Sequence, residues 1–254
     1  MTALDLHPAP HAAPAATRIR NHGLTEAKLV MRNGEQIVLA LVIPIAILVG
    51  GRFLGDRVDL PMSMLAPSVL ALAIWSTCFT SQAIMTGFER RYGVLERLCA
   101  TPLGRGGLLA GKALAYSLIS LAQVILLAVV ALILGWRPVG SALAWLPMLA
   151  SVLLAMAAFS LFALSLAGSL RAEATLGLAN LLYLVGLAAG AVVWPLRDYP
   201  DAVRPIVAVL PTTALGESLR AWGGGQTLWW PVLSLVLWAA AMALLARKVF
   251  KWVS

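Results

Sequence analysis

The sequence predicts an all-α polytopic membrane protein with six transmembrane helices, an N-terminal interfacial helix and a re-entrant helical hairpin before the last span. Of its 254 residues, 61% are hydrophobic and 12% are charged, against about 25% charged in a typical globular domain. The apolar residues fall in six long blocks separated by short polar stretches, the pattern of a chain whose solvent is lipid. The formal net charge of +8 is dispersed among those polar stretches and forms no stripe. It reads as topogenic charge, and no nucleic-acid partner is expected.

Residues 1–22 are expected to be a disordered cytoplasmic tail, because Met1 to Ala16 is an Ala, Pro and His tract without apolar periodicity. No apolar run precedes Ala12–Ala16, so no cleaved signal is expected. Residues 23–34 are predicted to form the interfacial helix: Leu24, Ala27, Val30 and Met31 share a face, with Glu26, Lys28 and Arg32 elsewhere on the wheel. Residues 35–254 make the six-span domain, with spans at about 35–54, 65–88, 108–135, 143–169, 174–194 and 228–246. Each comes close to the ~20 residues that cross about 30 Å of hydrocarbon. The first has a short uninterrupted apolar core, Ile37 to Gly51, and contains Pro44. The last begins where Thr227 can cap and Pro231 fits a first turn, and it ends at Arg247 and Lys248.

Six spans put both termini on one side. Lys and Arg number 13 in the tails and alternate loops on that side and 6 on the other, so both termini are expected in the cytoplasm of a plasma-membrane protein.

The chemistry-bearing residues are few. His7, His11 and His22 precede the first span, so no span offers an imidazole to a metal, and no metal site is expected. Cys78 and Cys99 read as ordinary reduced thiols. No HExxH, GxSxG or CxxC occurs, so no catalytic residue is assigned. Gly106, Gly111 and Lys112 have the spacing of a phosphate-binding loop, yet Ala113 replaces its Ser or Thr, no strand precedes it and an apolar span follows. Lys112 and Glu173 are expected at span ends, where they reach water. A proton-coupled secondary transporter would need a deep ionisable residue, and a membrane-embedded enzyme would need clustered carboxylates or histidines. Within the spans, Ser76, Thr77, Thr80 and Ser81, then Tyr116, Ser120 and Gln123 at i, i+4 and i+7, serve either as interhelical hydrogen-bonding groups or as a weakly polar substrate path. Gly186 and Gly190 form a GxxxG packing face.

The charge-rich stretch Phe88 to Arg105, FERRYGVLERLCATPLGR, lies on the expected cytoplasmic side. Val94, Leu95 and Leu98 lie near one face and Glu96 and Arg97 on another, which predicts a short amphipathic helix ended by Pro102. On spacing alone it is either a partner-binding element or a solvated loop lying on the membrane.

At these residues the chain resembles the membrane subunit of ABC-2 type exporters. The matching positions are Glu89, Arg90, Arg91, Gly93, Leu95, Glu96, Thr101, Pro102, Leu103 and Arg105, with Val94 where the family often has Thr. The resemblance implies a coupling helix seated in a cleft of a separate ATP-hydrolysing subunit. There Leu95 and Leu98 would anchor it, with Arg91, Glu96 and Arg97 hydrogen-bonding around them. It further implies two such cytoplasmic ATPase subunits carrying ATP and Mg²⁺, no cofactor on this chain, and a second permease, identical or homologous, within membrane lipid.

The fifth loop agrees. Pro195, Pro200, Pro205 and Pro211 interrupt it, Ile206–Leu210 is too short to cross, and Leu215, Leu219 and Trp222 share a helical face that ends at Gly223–Gly225. In the resemblance these short helices, with Pro205, Pro211, Leu215, Leu219 and Trp222, plug the outer side of the pathway. An amphiphilic drug or lipid-like cargo suits a pathway of apolar, hydroxyl and aromatic groups, with polysaccharide or glycolipid export as the alternative.

Overall fold

The computed structural model describes residues 12–55 and 60–250. Every described element is helical: α1 (Ala15–Met31), α2 (Gly34–Leu54), α3 (Met62–Trp75), a π-helical segment Ser76–Ser81, α4 (Gln82–Arg91), α5 (Val94–Cys99), α6 (Gly104–Ile133), α7 (Ala142–Ser169), α8 (Ala172–Ala189), a 3-10 turn Leu196–Asp198, α9 (Arg204–Val209), α10 (Pro211–Gly223) and α11 (Trp230–Val249). Among the described residues, five helices are long and apolar enough to cross a membrane: the continuous rod Met62–Arg91, α6, α7, α8 and α11. α2 stands where the first span was expected, but its apolar part, Ala40–Leu54, is shorter than these five.

The bundle is built around α7 and the Met62–Arg91 rod, which carry most of the buried side chains. Small residues on α7, among them Ser151, Ala155, Ala158, Ser160 and Ala163, are fully or almost fully buried and let neighbouring backbones approach. Between them sits an aromatic stack. Trp75 lies 4.2 Å from Phe79 in parallel, Phe159 meets Trp75 edge-on at 4.7 Å, and Phe162 stacks on Phe79 at 4.7 Å. The π-helical turn begins at the residue after Trp75 and carries Phe79. α6 and α11 instead leave rows such as Leu118, Leu121, Ile125 and Val129, or Leu233 and Leu237, exposed on the outside of the bundle, as suits a lipid-facing surface.

The structure changes several expected boundaries. α1 begins at Ala15, so residues 15–22, assigned to the tail, belong to the helix; the earlier residues of that tail, 1–11, lie outside the described residues. The extension is held by packing on α6. A Cβ on Gly23 would stand 3.0 Å from the Gly111 carbonyl oxygen, and the His22 ring fills the space beside Gly111. That contact is tertiary and leaves no trace in local periodicity. The fifth span stops at Ala189 and not at residue 194, because Gly190 caps α8 and Ala191 takes a left-handed φ of 48°. Thr227 does not cap α11, whose N-cap is Trp229. Gly186 and Gly190 do form a packing face, but within the chain, against Trp75 and Thr212.

Candidate functional site

The charged stretch folds at the end of the bundle where α4 runs out. Gly93, with a left-handed φ of 69°, separates α4 from α5, and the Thr101–Pro102 turn follows α5. α5 is therefore a separate six-residue helix lying against the start of α6.

The centre of its apolar face, Leu95, is not available to a partner, whereas Val94 of that face is exposed. Leu95 is 0% exposed and packs with Leu108, Leu164 and Phe250, while Leu98 and Leu103 border the same cluster. The expectation that Leu95 anchors α5 in another subunit is thus corrected. A six-residue helix has one narrow apolar stripe, and α6 and α7 have taken it. What α5 and its flanks expose is a strip formed by Tyr92, Val94, Glu96, Arg97, Thr101, Pro102 and Arg105. Burial pushes the Cys99 thiol up, with Arg105 opposing.

The charges before Gly93 also turn inward, apart from the last. Arg90 is buried and donates from Nη1 to the carbonyls of Ala167 at 2.9 Å and Leu170 at 3.1 Å. Those carbonyls close α7, whose last turn has no helical partner for them. Glu89 pairs with Lys112 of α6, and Lys112 also pairs with Glu26 of α1. Arg91 alone stays outside, paired with the exposed Glu173 at the start of α8.

Lys112 corrects a second expectation. It is 0% exposed and does not reach water. A buried ammonium must be paired, and the two carboxylates come from different helices. The signal was present in the sequence as a lone cation inside Gly111–Tyr116, but the identity of its partners depends on the α1–α6 crossing. His22, one turn before Glu26, is held below the usual histidine range by burial and secondarily by Lys112, with Glu26 opposing.

The hydroxyl-bearing residues of the spans divide. Ser76, Thr80 and Gln123 line a cavity of about 460 Å³ between α2, α3, the π-helical segment, α6 and α8. Tyr116 and Ser120 do not: Tyr116 borders a separate void of about 40 Å³, and Ser120 is buried in packing. Gln123 also bridges helices, accepting from Thr77 Oγ1 at 2.6 Å and donating from Nε2 to the Ala40 carbonyl at 2.6 Å. Asn180 and Tyr183 of α8 line the cavity as well and were not singled out, because isolated polar residues in an apolar span show no spacing pattern.

At the opposite end, α9 and α10 meet at Pro211, the first residue of α10. Pro205 lies in the first turn of α9. Pro211, Leu215, Leu219 and Trp222 are buried, the last three in the main core. Trp222 meets Trp145 edge-on at 4.7 Å and Trp136 at 5.7 Å. Arg220 of α10 donates to the carbonyls of Val192 at 2.8 Å and Ala191 at 2.5 Å and to Glu217 at 2.8 Å; Glu217 in turn accepts from Leu196 N–H at 2.9 Å. These bonds hold Ala191 in its left-handed conformation and close the end of α8. Arg220 and Glu217, with Arg204 and Trp230, border an open cavity of about 830 Å³.

No curated protein matches the chain. The profile of the ABC-2 family transporter proteins does match, over residues 58–248, which takes in α3 through nearly all of α11 and both clusters of short helices. Most of the chain lies inside that match, and the chain belongs to the ABC-2 transporter family, as a multi-pass membrane permease that associates with ABC ATPase subunits.

Proposed function

We propose that this permease exports an amphiphilic drug or lipid-like cargo. In this reading α2 completes six spans, both termini face the cytoplasm, and the plasma membrane holds a dimer of this chain with an identical or homologous permease. Two cytoplasmic subunits bind ATP and Mg²⁺ and hydrolyse the nucleotide, while this chain carries no ATPase site. Their nucleotide-driven closure moves α5, and the spans exchange inward-open and outward-open arrangements. The exposed strip Tyr92–Val94–Glu96–Arg97, with Thr101, Pro102 and Arg105, is the docking surface, and α9 with α10 plugs the outer side.

The observation that carries the cargo class is the 460 Å³ cavity: its wall is apolar, with hydroxyl and amide groups from Ser76, Thr80, Ser81, Gln123, Asn180 and Tyr183 and no ionised side chain. That size and mixture suit a drug-sized amphiphile with a small hydrogen-bonding head. Polysaccharide would need a continuous polar track.

The test is ATP-dependent uptake of amphiphilic dyes into inverted vesicles holding the permease and its ATPase, for the wild type and for Asn180→Leu and Thr80→Leu. Dye uptake that both substitutions reduce at matched expression supports the reading. Polysaccharide or glycolipid movement without dye movement overturns it.

A further inference from the structure

We infer that Lys112 is a positioning residue that clamps α1 to the α4–α5 elbow, so that the interfacial helix and the coupling helix move as one body. The clamp rests on the coupling role of α5 proposed above, and asks what carries motion away from that helix.

Three helices meet at one ammonium. Lys112 stands two turns into α6, fully buried, with Glu26 of α1 on one side and Glu89 of α4 on the other. α1 packs along α6, whereas α4 packs on α7 and α8. The charges of α1 and α4 therefore meet through Lys112. Glu89 is four residues before Gly93, so a displacement of α5 reaches Glu89 through one helical turn and a single glycine hinge. On the far side of α5, Leu95 is seated on Leu108, one turn before Lys112 on the same helix. The elbow is thus held to the start of α6 at two points, one apolar and one ionic.

The ionic point is the one that includes α1. Apolar contacts allow two surfaces to slide, since they have no preferred direction. A buried ammonium shared by two carboxylates resists this, because moving either carboxylate away breaks a charge-assisted contact that no water is there to replace at the fully buried Lys112. A pull on the elbow therefore takes α1 with it.

The experiment uses the assembled transporter with its ATPase in lipid nanodiscs. Spin labels are placed at two exposed positions, Leu29→Cys on α1 and Ala100→Cys after α5, in a Cys99→Ser background, and their separation is measured without nucleotide and in the vanadate-trapped state. The expected wild-type result is one narrow distance distribution, unchanged between the states. Lys112→Met should broaden it and make it depend on nucleotide, and cargo moved per ATP hydrolysed should fall about tenfold. If Lys112→Met does not fold, Glu26→Gln, which removes only the α1 charge, carries the same measurements. A wild-type separation that changes by more than about 5 Å, one helical turn, overturns the inference. So does a folded variant that keeps both the narrow distribution and the wild-type cargo-to-ATP ratio. The Glu96→Lys co-purification described below tests the coupling role of α5 by itself, so failure of that role and failure of the clamp are told apart.

Discussion

The two ends of this bundle both carry short helices that cannot span a membrane, and they hold them by different means. At one end α5 gives Leu95 to Leu108 and Leu164 and keeps a mixed, charge-bearing strip outside, and its neighbours are tied by ion pairs between separate helices as well as by Arg90, which caps the end of α7. At the other, α10 is buried on almost every face, and its one strong cation bonds backbone carbonyls. The exposed Arg91–Glu173 pair can be broken and remade with new partners as helices move, whereas the buried Lys112 pairs hold their helices together. Carbonyls capped by a guanidinium fix one local conformation, here the left-handed Ala191. The first end thus keeps an exposed, exchangeable pair beside its buried contacts, whereas the second is fixed throughout.

That contrast breaks most visibly at Arg220. Its side chain is 10% exposed, and Arg220→Met would leave two carbonyls and most of the charge of Glu217 without a donor, a loss of about 3–5 kcal/mol. Thermal unfolding of the purified permease in mixed micelles should show it. Arg91→Met at the other end removes an ion pair that water already screens and should stay within about 1 kcal/mol. Equal shifts for the two would erase the distinction between a fixed end and an adaptable one. Next in size is Leu95→Ala, which leaves a cavity against Leu108 and should cost about 2–4 kcal/mol, detected in the same melts before any ATPase is added. No change there would return Leu95 to the list of partner-facing residues.

Much of this was legible in the sequence. The apolar blocks locate α6, α7 and α11 within a few residues because lipid imposes length and composition on each span independently. α5 and its bounding Gly93 and Pro102 were legible for the same local reasons. The identity of charge partners was not. Glu89, Arg90 and Arg91 stand in one charge-rich stretch that the resemblance assigns to the coupling segment, yet successive helical positions point about 100° apart, so the three reach α6, α7 and α8 respectively. Lys112 and Glu26 are 86 residues apart, and only the close crossing at Gly23 and Gly111 brings them together. Likewise the apolar face of α5 was recognised but given to the wrong neighbour, because periodicity shows that a face is buried and not what buries it.

Glu96 sharpens the comparison from the surface side. It is exposed and touches none of the ion pairs that organise this end. Glu96→Lys should therefore shift the melting of the isolated permease by less than about 1 kcal/mol, since Glu and Lys have similar helix propensity and only one first-turn charge of α5 is reversed. Association with the ATPase should weaken by more than tenfold, about 1.4 kcal/mol or more, if a charge that becomes desolvated on docking loses its partner. Co-purification of the two subunits, with cargo-stimulated hydrolysis, is the readout. Wild-type values for both in a folded protein would remove α5 from the docking surface.

The smallest effect concerns pH and His22, which is only half buried and sits beside the Glu26–Lys112 pair. Burial favours the neutral imidazole, so its folded-state pKa lies below the ordinary value of about 6.5 that the unfolded chain keeps. With the folded value depressed, the unfolded state binds the proton more readily, and the slope of stability with pH is positive between the two values. The contribution is complete above the ordinary histidine pKa and is lost as pH falls from there through the lowered one. His22→Gln removes the titration while keeping a polar side chain of similar reach beside Gly111. Melts of wild type and variant across this acid range should therefore converge with falling pH if the wild type starts higher, and diverge if it starts lower. Glu26 opposes the shift, so Glu26→Gln should steepen the wild-type slope, which separates a histidine effect from general acid loss. Parallel curves for wild type and His22→Gln would mean that the imidazole does not feel this end of the bundle at all.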